Sequence, residues 1–159
     1  MPADLLIRPA TLADIPALTT IAHSAKRAWG YPASWLDLWA PQLTITEVYL
    51  RDHIVFVAER DETVVGFAAL DCDDGTQWQL DHLWVSPEHW LQGIGGQLLT
   101  SVLVELRYRE VSELHIEADP HAAPFYTRMG AQLVGATPAP MPGMPDRELP
   151  LFALTVAAT

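Results

Sequence analysis

The alternation of hydrophobic and polar positions divides this chain into strand-like runs and helix-like stretches. Two apolar runs, 54–58 and 64–70, are rich in β-branched and aromatic residues and flank the polar segment 59–63, which predicts a β-hairpin. The run Trp78–Val85 predicts a buried strand. The remaining predicted strands are 5–7, 114–118, 131–134 and 151–156.

Apolar residues at helical spacing predict two long helices. The first is preceded by the helix-start pattern Thr11–Asp14, with Pro16 in its first turn. The apolar faces of the two helices are Ile15, Leu18, Ile21, Ala22 and Ala25, and then Leu98, Leu99, Val102, Leu103 and Leu106.

Capping residues and turn residues complete the predicted order of elements. A polar turn is expected at 71–75, and a loop at 137–150 that holds five of the thirteen prolines. The predicted short helices are 34–38 capped by Ser34, 44–50 opened by a capping box at Thr44, and 122–128 terminated by Gly130. The order β-α-α-β-β-β-α-β-α-β-β predicts an α/β fold, a mixed sheet of about seven strands with helices on both faces. Because no internal repeat or linker is visible, we expect a single domain over residues 1–159.

Composition and charge narrow the classes of function. Twenty acidic and nine basic residues give a formal net charge of −11, and the one lysine is Lys26. A nucleic-acid partner is not expected, because it requires clustered basic residues. Neither a membrane-length apolar run nor a secretory signal pattern is found, so we expect a cytoplasmic protein. Cys72 is the one cysteine, so a disulfide framework is excluded, and no metal is expected.

A glycine-rich segment stands between the Trp78–Val85 strand and the second long helix. It is not a dinucleotide fingerprint, because the third glycine is missing, nor a phosphate loop of NTPases, because no Gly-Lys-Ser/Thr is found. Glycines at a helix start let an anion approach unpaired backbone N–H groups, so we interpret the segment as a phosphate cradle. A structural tight turn is the alternative. The segment reads Gln92-Gly93-Ile94-Gly95-Gly96-Gln97.

Two longer segments, Val85–Leu99 and Ala118–Gly130, resemble the GNAT superfamily of acetyl-CoA-dependent N-acetyltransferases. The first is similar to that family's acetyl-CoA motif, and the second to its short Phe-Tyr helix that follows a strand and ends at glycine. Met141–Gly143 and Leu149–Leu151 resemble the ending of a bacterial subgroup. The resemblance implies the GNAT fold and acetyl-CoA as co-substrate. Its pyrophosphate would lie on loop amides and its pantetheine arm along the fourth strand.

The residues that the resemblance assigns to the cofactor are Leu83, Trp84, Val85, Gln92, Gly93, Ile94, Gly95, Gly96, Gln97, His121 and Phe125. Two residues depart from the family pattern. Trp90 stands where the family has Gln or Arg, and Leu91 where it has Gly. The family also commonly has Asn where His121 stands. A surface histidine without a role is the alternative there.

Candidate catalytic residues follow from the chemistry of amine attack on a thioester. Tyr126 matches the family's general acid, since a phenol is protonated at pH 7 and can protonate the leaving thiolate. A core or rim aromatic is the alternative for this residue. Asp81 is the first candidate base, and His82 and Glu117 are the next candidates. The alternative for Asp81 is a carboxylate that only orients the substrate or caps a turn. Gln79 best matches the family's strand glutamate and is assigned to the substrate side.

An aromatic segment is expected to line the acceptor side. Trp29, Tyr31 and Trp35, with Trp39, lie where the family places the acceptor wall, and aromatic faces bind cations. Packing in the core is the alternative. Lys26 and Arg27 are expected to form a solvated face.

The sequence therefore predicts an acetyl-CoA-dependent N-acetyltransferase that acts by direct transfer in a ternary complex. A small-molecule amine is the expected acceptor, such as a polyamine, an amino acid or an aminoglycoside-like compound. A protein N-terminus or lysine is the alternative acceptor. A non-catalytic acyl-CoA-binding regulatory module is the alternative from another class, and a homodimer is left open.

Overall fold

The computed structural model describes residues 4–72 and 75–157. Its strands are β1 (Leu6–Pro9), β2 (Ile54–Arg60), β3 (Thr63–Cys72), β4 (Trp78–Val85), β5 (Glu113–Glu117), β6 (Gln132–Pro138) and β7 (Glu148–Thr155). They form one seven-stranded sheet in the order β1-β2-β3-β4-β5-β7-β6. The β4–β5 pair is parallel, whereas β1–β2, β2–β3, β5–β7 and β6–β7 are antiparallel. The predicted α/β fold with a mixed sheet is thereby confirmed.

Five α-helices accompany the sheet in the described residues. They are α1 (Ile15–Ala28), α2 (Ala33–Trp39), α3 (Glu47–Asp52), α4 (Ile94–Tyr108) and α5 (Ala123–Arg128). Single 3₁₀ turns precede α1 and follow β4, at Leu12–Asp14 and Pro87–His89. Within residues 4–72 and 75–157, no helix has the length and apolarity needed to cross a membrane.

Backbone packing groups the chain into two compact units. Unit 1 comprises the chain up to Leu70 together with His82–Val102. Unit 2 comprises Asp71–Asp81 together with the chain from Leu103 onward. The single domain over 1–159 stays a prediction.

In unit 1, helices pack on both faces of β3, because successive side chains of a strand point to opposite faces. Phe67 and Ala69 belong to a buried cluster with Leu18 and Ile21 of α1. On the other face, a Cβ added at Gly66 would lie 3.2 Å from Cδ1 of Leu98 in α4. The same Cβ would lie 2.9 Å from the Trp84 carbonyl oxygen, so a side chain at this position would displace backbone.

In unit 2, the core lies under the β5–β7 ladder. Leu114 and Ile116 of β5 are buried, opposite Leu154 and Phe152 of β7 in the antiparallel register. The ring of Phe152 in turn contacts the ring of Tyr126 in α5, with 6.0 Å between their centroids.

Two predicted helix caps are wrong by one or two residues. α2 begins at Ala33, directly after Pro32, and the Ser34 side chain makes no cap. Thr46 rather than Thr44 caps α3, because its Oγ1 accepts the Tyr49 N–H at 3.1 Å. The Thr44 hydroxyl instead donates to the Ala40 carbonyl at 2.8 Å, since both lie in one turn at the end of α2.

Several predicted strand limits are also wrong, because pairing carries strands into polar sequence. The β2–β3 turn is only Asp61 and Glu62, with φ of 53° and 63°, and β3 continues through Cys72 of the predicted 71–75 turn. Asp73 and Asp74 lie outside the described residues. Pairing of β6 with β7 likewise shortens the predicted 137–150 loop to 139–147. β4 is not a buried strand, since most of its residues are half-buried and Asp81 is exposed.

Candidate active site

The predicted phosphate cradle is a loop that enters α4 in unit 1. Gly93 has φ of +79°, a left-handed conformation that glycine adopts without strain. The Gln97 N–H donates to the Gly93 carbonyl at 3.1 Å as the first helical bond. A helix leaves its first amides without intrahelical acceptors, and here these belong to Ile94, Gly95 and Gly96. Ile94 is buried and anchors the turn, whereas Gly95 and Gly96 are half-buried.

The two departures from the family pattern have distinct structural roles. Leu91 is fully exposed and adopts φ of +62°, a left-handed conformation that favours glycine. Such a conformation costs a residue with a Cβ about 1–2 kcal/mol. The Trp90 indole Nε1 donates to the Val85 carbonyl at 2.7 Å. That carbonyl belongs to the strand segment assigned to the pantetheine arm.

Arg60, at the end of β2, brings a positive charge to this loop. Its Nη1 donates to Oε1 of Gln92 at 2.6 Å. Its Nε is buried and has no hydrogen-bond partner within residues 4–72 and 75–157. Sequence reasoning missed Arg60, because 32 residues separate it from Gln92. Arg60 lies in the predicted polar turn 59–63, and that local pattern gives no indication of a tertiary contact.

The second half of β4 carries Leu83, Trp84 and Val85, all half-buried. The Trp84 indole Nε1 donates to Nδ1 of His82 at 2.8 Å. A ring nitrogen that accepts a hydrogen bond is unprotonated, so the neutral His82 ring carries its proton on Nε2. In this arrangement His82 is a hydrogen-bond donor at Nε2 rather than a base.

The aromatic residues predicted for the acceptor side form one cluster in unit 1. The Trp29 ring lies 5.5 Å from the Trp84 ring, centroid to centroid, which places the cluster against β4. Tyr31 lies 5.7 Å from Trp35 and 4.9 Å from Trp39. Trp35 is buried and the other rings are half-buried, so the cluster extends from the core to the surface of unit 1.

Lys26 contradicts its predicted place on a solvated face. It is half-buried, and its Nζ lies 4.1 Å from the Trp39 ring centroid and 5.1 Å from that of Tyr31. Nζ also lies 5.7 Å from the Trp29 centroid and 6.0 Å from that of Trp84. An ammonium over aromatic faces is attracted by their quadrupoles. The prediction failed because only the tertiary fold brings α2 and β4 to this side of α1; Arg27 is exposed as expected.

In unit 2, α5 places Tyr126 in the core and Phe125 half-buried beside it. Gly130, at φ of +94°, follows the helix end as predicted. Burial raises the pKa of Tyr126 above its usual range, and the nearby Asp119 carboxylate raises it further. The phenol therefore holds its proton throughout the neutral range.

Asp119 is the centre of a hydrogen-bonded group that sequence reasoning missed. Only 7% of its side chain is exposed, and its Oδ1 lies 3.0 Å from Nδ1 of His121. The same oxygen accepts the His121 main-chain N–H at 2.8 Å. Arg147, also 7% exposed in its side chain, places Nη2 3.9 Å from Asp119 Oδ2. The sequence did offer one indication of this group, because Asp119 stands only two residues before His121.

The other predicted residues of unit 2 lie on the sheet. Gln79 is half-buried in β4, paired with His115 of β5. Asp81 is exposed at the end of the unit 2 part of β4, and Glu117 is exposed at the end of β5. The structure therefore brings Tyr126 and His121 together around Asp119, but it gives Asp81 no burial.

Comparison with known proteins identifies the family. Residues 51–130, which include β4, the loop and α4, match the model of the acetyltransferase (GNAT) domain. Human N-acetyltransferase 8 is 35% identical over 123 residues, 70% of this chain and 53% of that protein. The chain spans about half the length of the curated relatives that it matches.

Solved structures of similar fold include two with the cofactor. PaiA N-acetyltransferase from Thermoplasma acidophilum, in complex with coenzyme A, superposes with a TM-score of 0.78 at 17% identity, over 96% of this chain and 99% of that one. A GNAT family acetyltransferase from Elizabethkingia anophelis with acetyl-CoA bound gives a TM-score of 0.68 at 19% identity, over 95% and 97%. With a domain match over half of its residues and this fold, the chain belongs to the GNAT acetyltransferase family.

Proposed function

We propose that this protein transfers the acetyl group of acetyl-CoA to a primary amine of a small molecule, by direct attack in a ternary complex. The observation that carries the proposal is the loop into α4, where Gly93, Gly95 and Gly96 leave main-chain N–H groups open to an anion. The matched GNAT domain contains this loop, and two structures of the same fold contain coenzyme A or acetyl-CoA.

The residues of unit 1 fit such a ligand. The amides of Ile94, Gly95 and Gly96 would hold the pyrophosphate, and the Arg60 guanidinium would add a charge that compensates for the arginine or glutamine replaced by Trp90. Main-chain groups from Leu83 to Val85 would hold the pantetheine arm. This explains how an anion binds a chain with a net charge of −11, because helix and loop dipoles supply a local positive field.

Proton transfer is assigned to side chains of unit 2. Tyr126 would donate to the sulfur as the carbon–sulfur bond breaks, since its raised pKa keeps the phenol protonated. A raised pKa also makes it a weaker acid, so the developing thiolate receives a hydrogen bond before it receives the proton. Asp81 is the base that the sequence favoured, and its exposure places it in contact with water.

The acceptor would bind against the aromatic cluster, which packs on the same strand that would hold the pantetheine arm. Lys26 already provides an ammonium over these rings. Like charges repel, so a second ammonium would be disfavoured at the rings, whereas an acceptor carboxylate would be attracted. We therefore expect amino acids to be better acceptors than polyamines.

Acetyl-CoA binding and turnover test this function separately. Thermal shift with acetyl-CoA is expected to stabilise the protein, and thiol release over amino acids, polyamines and aminoglycosides is expected to identify an acceptor. Gly95→Glu is the matched control, because its charge and side chain would occupy the pyrophosphate position and abolish the thermal shift. Stabilisation without turnover on any amine would support the binding module instead. No stabilisation of the wild type would refute both.

A further inference from the structure

The turn before α5 holds a histidine–aspartate pair with a defined tautomer. A carboxylate only accepts hydrogen bonds, so the 3.0 Å contact between His121 Nδ1 and Asp119 Oδ1 requires the proton on Nδ1. The ring lone pair of neutral His121 therefore lies on Nε2. The His121 side chain is 42% exposed, whereas Asp119 is buried. This is the arrangement in which a carboxylate orients an imidazole as a base.

The groups around this pair hold the carboxylate in place. Arg147 faces Asp119 from the segment before β7 and also donates from Nη1 to the Ala139 carbonyl at 3.3 Å. Tyr126 faces Asp119 from α5, close enough for the carboxylate charge to raise the phenol pKa. Asp119 is thus shared between the imidazole and the phenol proposed as the acid.

The other candidate bases lack this arrangement. His82 has its Nδ1 engaged by the Trp84 indole, so its proton is on Nε2. Asp81 and Glu117 are exposed carboxylates. A general base acts best when a neighbouring group orients it, as the Asp119 carboxylate orients the His121 ring.

We infer that His121 removes a proton from the acceptor ammonium, with Asp119 as its positioning residue; this rests on the proposed acetyl transfer. Nε2 takes the first proton and releases it to water. The amine nitrogen then forms a bond to the carbonyl carbon, and the carbon–sulfur bond breaks. The second proton lost by the nitrogen balances the proton that Tyr126 gives to the thiolate. The products are an amide, coenzyme A and one proton in solution.

His121→Asn is the decisive variant, because asparagine is the residue common in the family at this position and it cannot take a proton. With the best acceptor of the amine panel, kcat is expected to fall about 100-fold, while the Kd for acetyl-CoA changes less than about threefold. The acid limb of the kcat–pH profile should disappear. Asp119→Asn keeps the ring but removes the carboxylate that orients it, so kcat should fall while the Kd for acetyl-CoA changes little.

His115→Asn is the matched control, since His115 pairs with Glu113 at 3.1 Å in the same unit. It is expected to leave kcat and the acid limb unchanged. His121→Asn with the wild-type kcat and profile would overturn this inference alone. The same conclusion would follow if Asp81→Asn removed the acid limb and His121→Asn kept it. A wild type without turnover on any amine would overturn the proposed function, and this inference with it.

Nitrogen-15 NMR of the cofactor-free protein provides a readout that does not depend on activity. His121 is expected as the Nδ1–H tautomer and His82 as the Nε2–H tautomer. In Asp119→Asn, the preference of His121 for Nδ1–H should weaken. A His121 ring protonated mainly on Nε2 in the wild type would contradict the proposed base.

Discussion

In each unit an arginine lies against an aspartate whose side chain is largely buried, and the two pairs are built differently. In unit 1, Arg8 and Asp14 form a two-pronged contact, with Nη1 to Oδ2 at 2.8 Å and Nη2 to Oδ1 at 3.0 Å. Asp14 Oδ2 also accepts the Thr11 main-chain N–H at 2.7 Å. In unit 2, Arg147 is 3.9 Å from Asp119, whose other oxygen is bonded to His121.

The difference separates a structural carboxylate from one suited to proton transfer. The short hydrogen bonds from Arg8 hold the pKa of Asp14 below its usual range despite burial. These bonds join the residue before α1 to β1, and the bond from the Thr11 N–H joins it to the preceding turn. Asp119 instead fixes a titratable ring and influences a phenol. The same two residue types therefore form a two-pronged ion pair at the entry to α1 and, in unit 2, part of the group that orients His121.

Of the substitutions that test this difference, Tyr126→Phe is expected to have the largest effect on kcat, because it removes the phenol on which the Asp119 charge acts. We expect kcat to fall about 100-fold at saturating acetyl-CoA, since a positioned acid contributes about 10²–10⁴-fold. Cofactor-induced thermal stabilisation should be unchanged, because the cradle lies in main-chain amides of unit 1. Steady-state thiol release and thermal shift measure the two quantities.

The matched control for that substitution is Tyr108→Phe, at an 85% exposed tyrosine that ends α4. It should leave both quantities unchanged. A Tyr126→Phe enzyme with undiminished kcat would remove Tyr126 from the mechanism and leave it as a core aromatic.

Asp14→Asn opens the closed pair and should reduce stability rather than kcat. Loss of hydrogen bonds to a charged group costs about 2 kcal/mol, or about 4–8 °C in Tm for a chain of this size. Because the folded-state pKa of Asp14 is lowered, its stabilisation is present above the unfolded pKa of about 4 and lost as the pH falls through the folded value. The Tm difference from the wild type should therefore shrink in acid.

Asp37→Asn, at an exposed position of α2, is the control and should leave Tm unchanged. If Asp14→Asn kept the wild-type Tm at pH 7, the two pairs would not differ as argued. A Tm difference between Asp14→Asn and the wild type that grows as the pH falls would contradict the argument in the same way.

The sequence was sufficient to predict most of the fold, because hydrophobic periodicity is local information. The strand Trp78–Val85, the β2–β3 hairpin and the helix through Leu98 and Leu106 were found at or near their limits. Strand ends were missed where β6 and β7 pair with each other into the proline-rich sequence between them, because proline there indicates a loop rather than a paired strand. Local capping patterns could not distinguish Thr44 from Thr46, since both precede the same apolar residues.

Side-chain contacts of the candidate site were much less accessible from the sequence. Lys26 was assigned to solvent because helical spacing shows only which residues share a face, not that α2 and β4 surround it with rings. Arg60 and Arg147 reach their partners across 32 and 28 residues, and no pattern encodes such distances. The Asp119–His121 pair and the Trp84–His82 pair each join residues only two apart, so local reasoning could have found them.

Trp90→Phe removes a hydrogen bond of unit 1, and we expect its effect to be smaller than those of Tyr126→Phe and Asp14→Asn. Phenylalanine keeps an aromatic ring but removes the indole N–H that the Val85 carbonyl accepts at 2.7 Å. Without cofactor, the variant should lose about 1 kcal/mol of stability. If a pantetheine amide uses the same carbonyl, the indole competes with it, so the Kd for coenzyme A should fall about threefold to tenfold. Calorimetric titration measures the affinity.

These opposite signs make the substitution informative although its effect is modest. A purely structural role for the indole would lower stability and either leave affinity unchanged or weaken it, and either result would mean that the pantetheine arm does not take the Val85 carbonyl. Trp39→Phe is the matched control, because Trp39 lies in the aromatic cluster rather than the cofactor loop and should leave coenzyme A affinity unchanged. If Trp90→Phe binds coenzyme A more tightly and Trp39→Phe does not, the hydrogen bond from Trp90 to the Val85 carbonyl must break when coenzyme A binds.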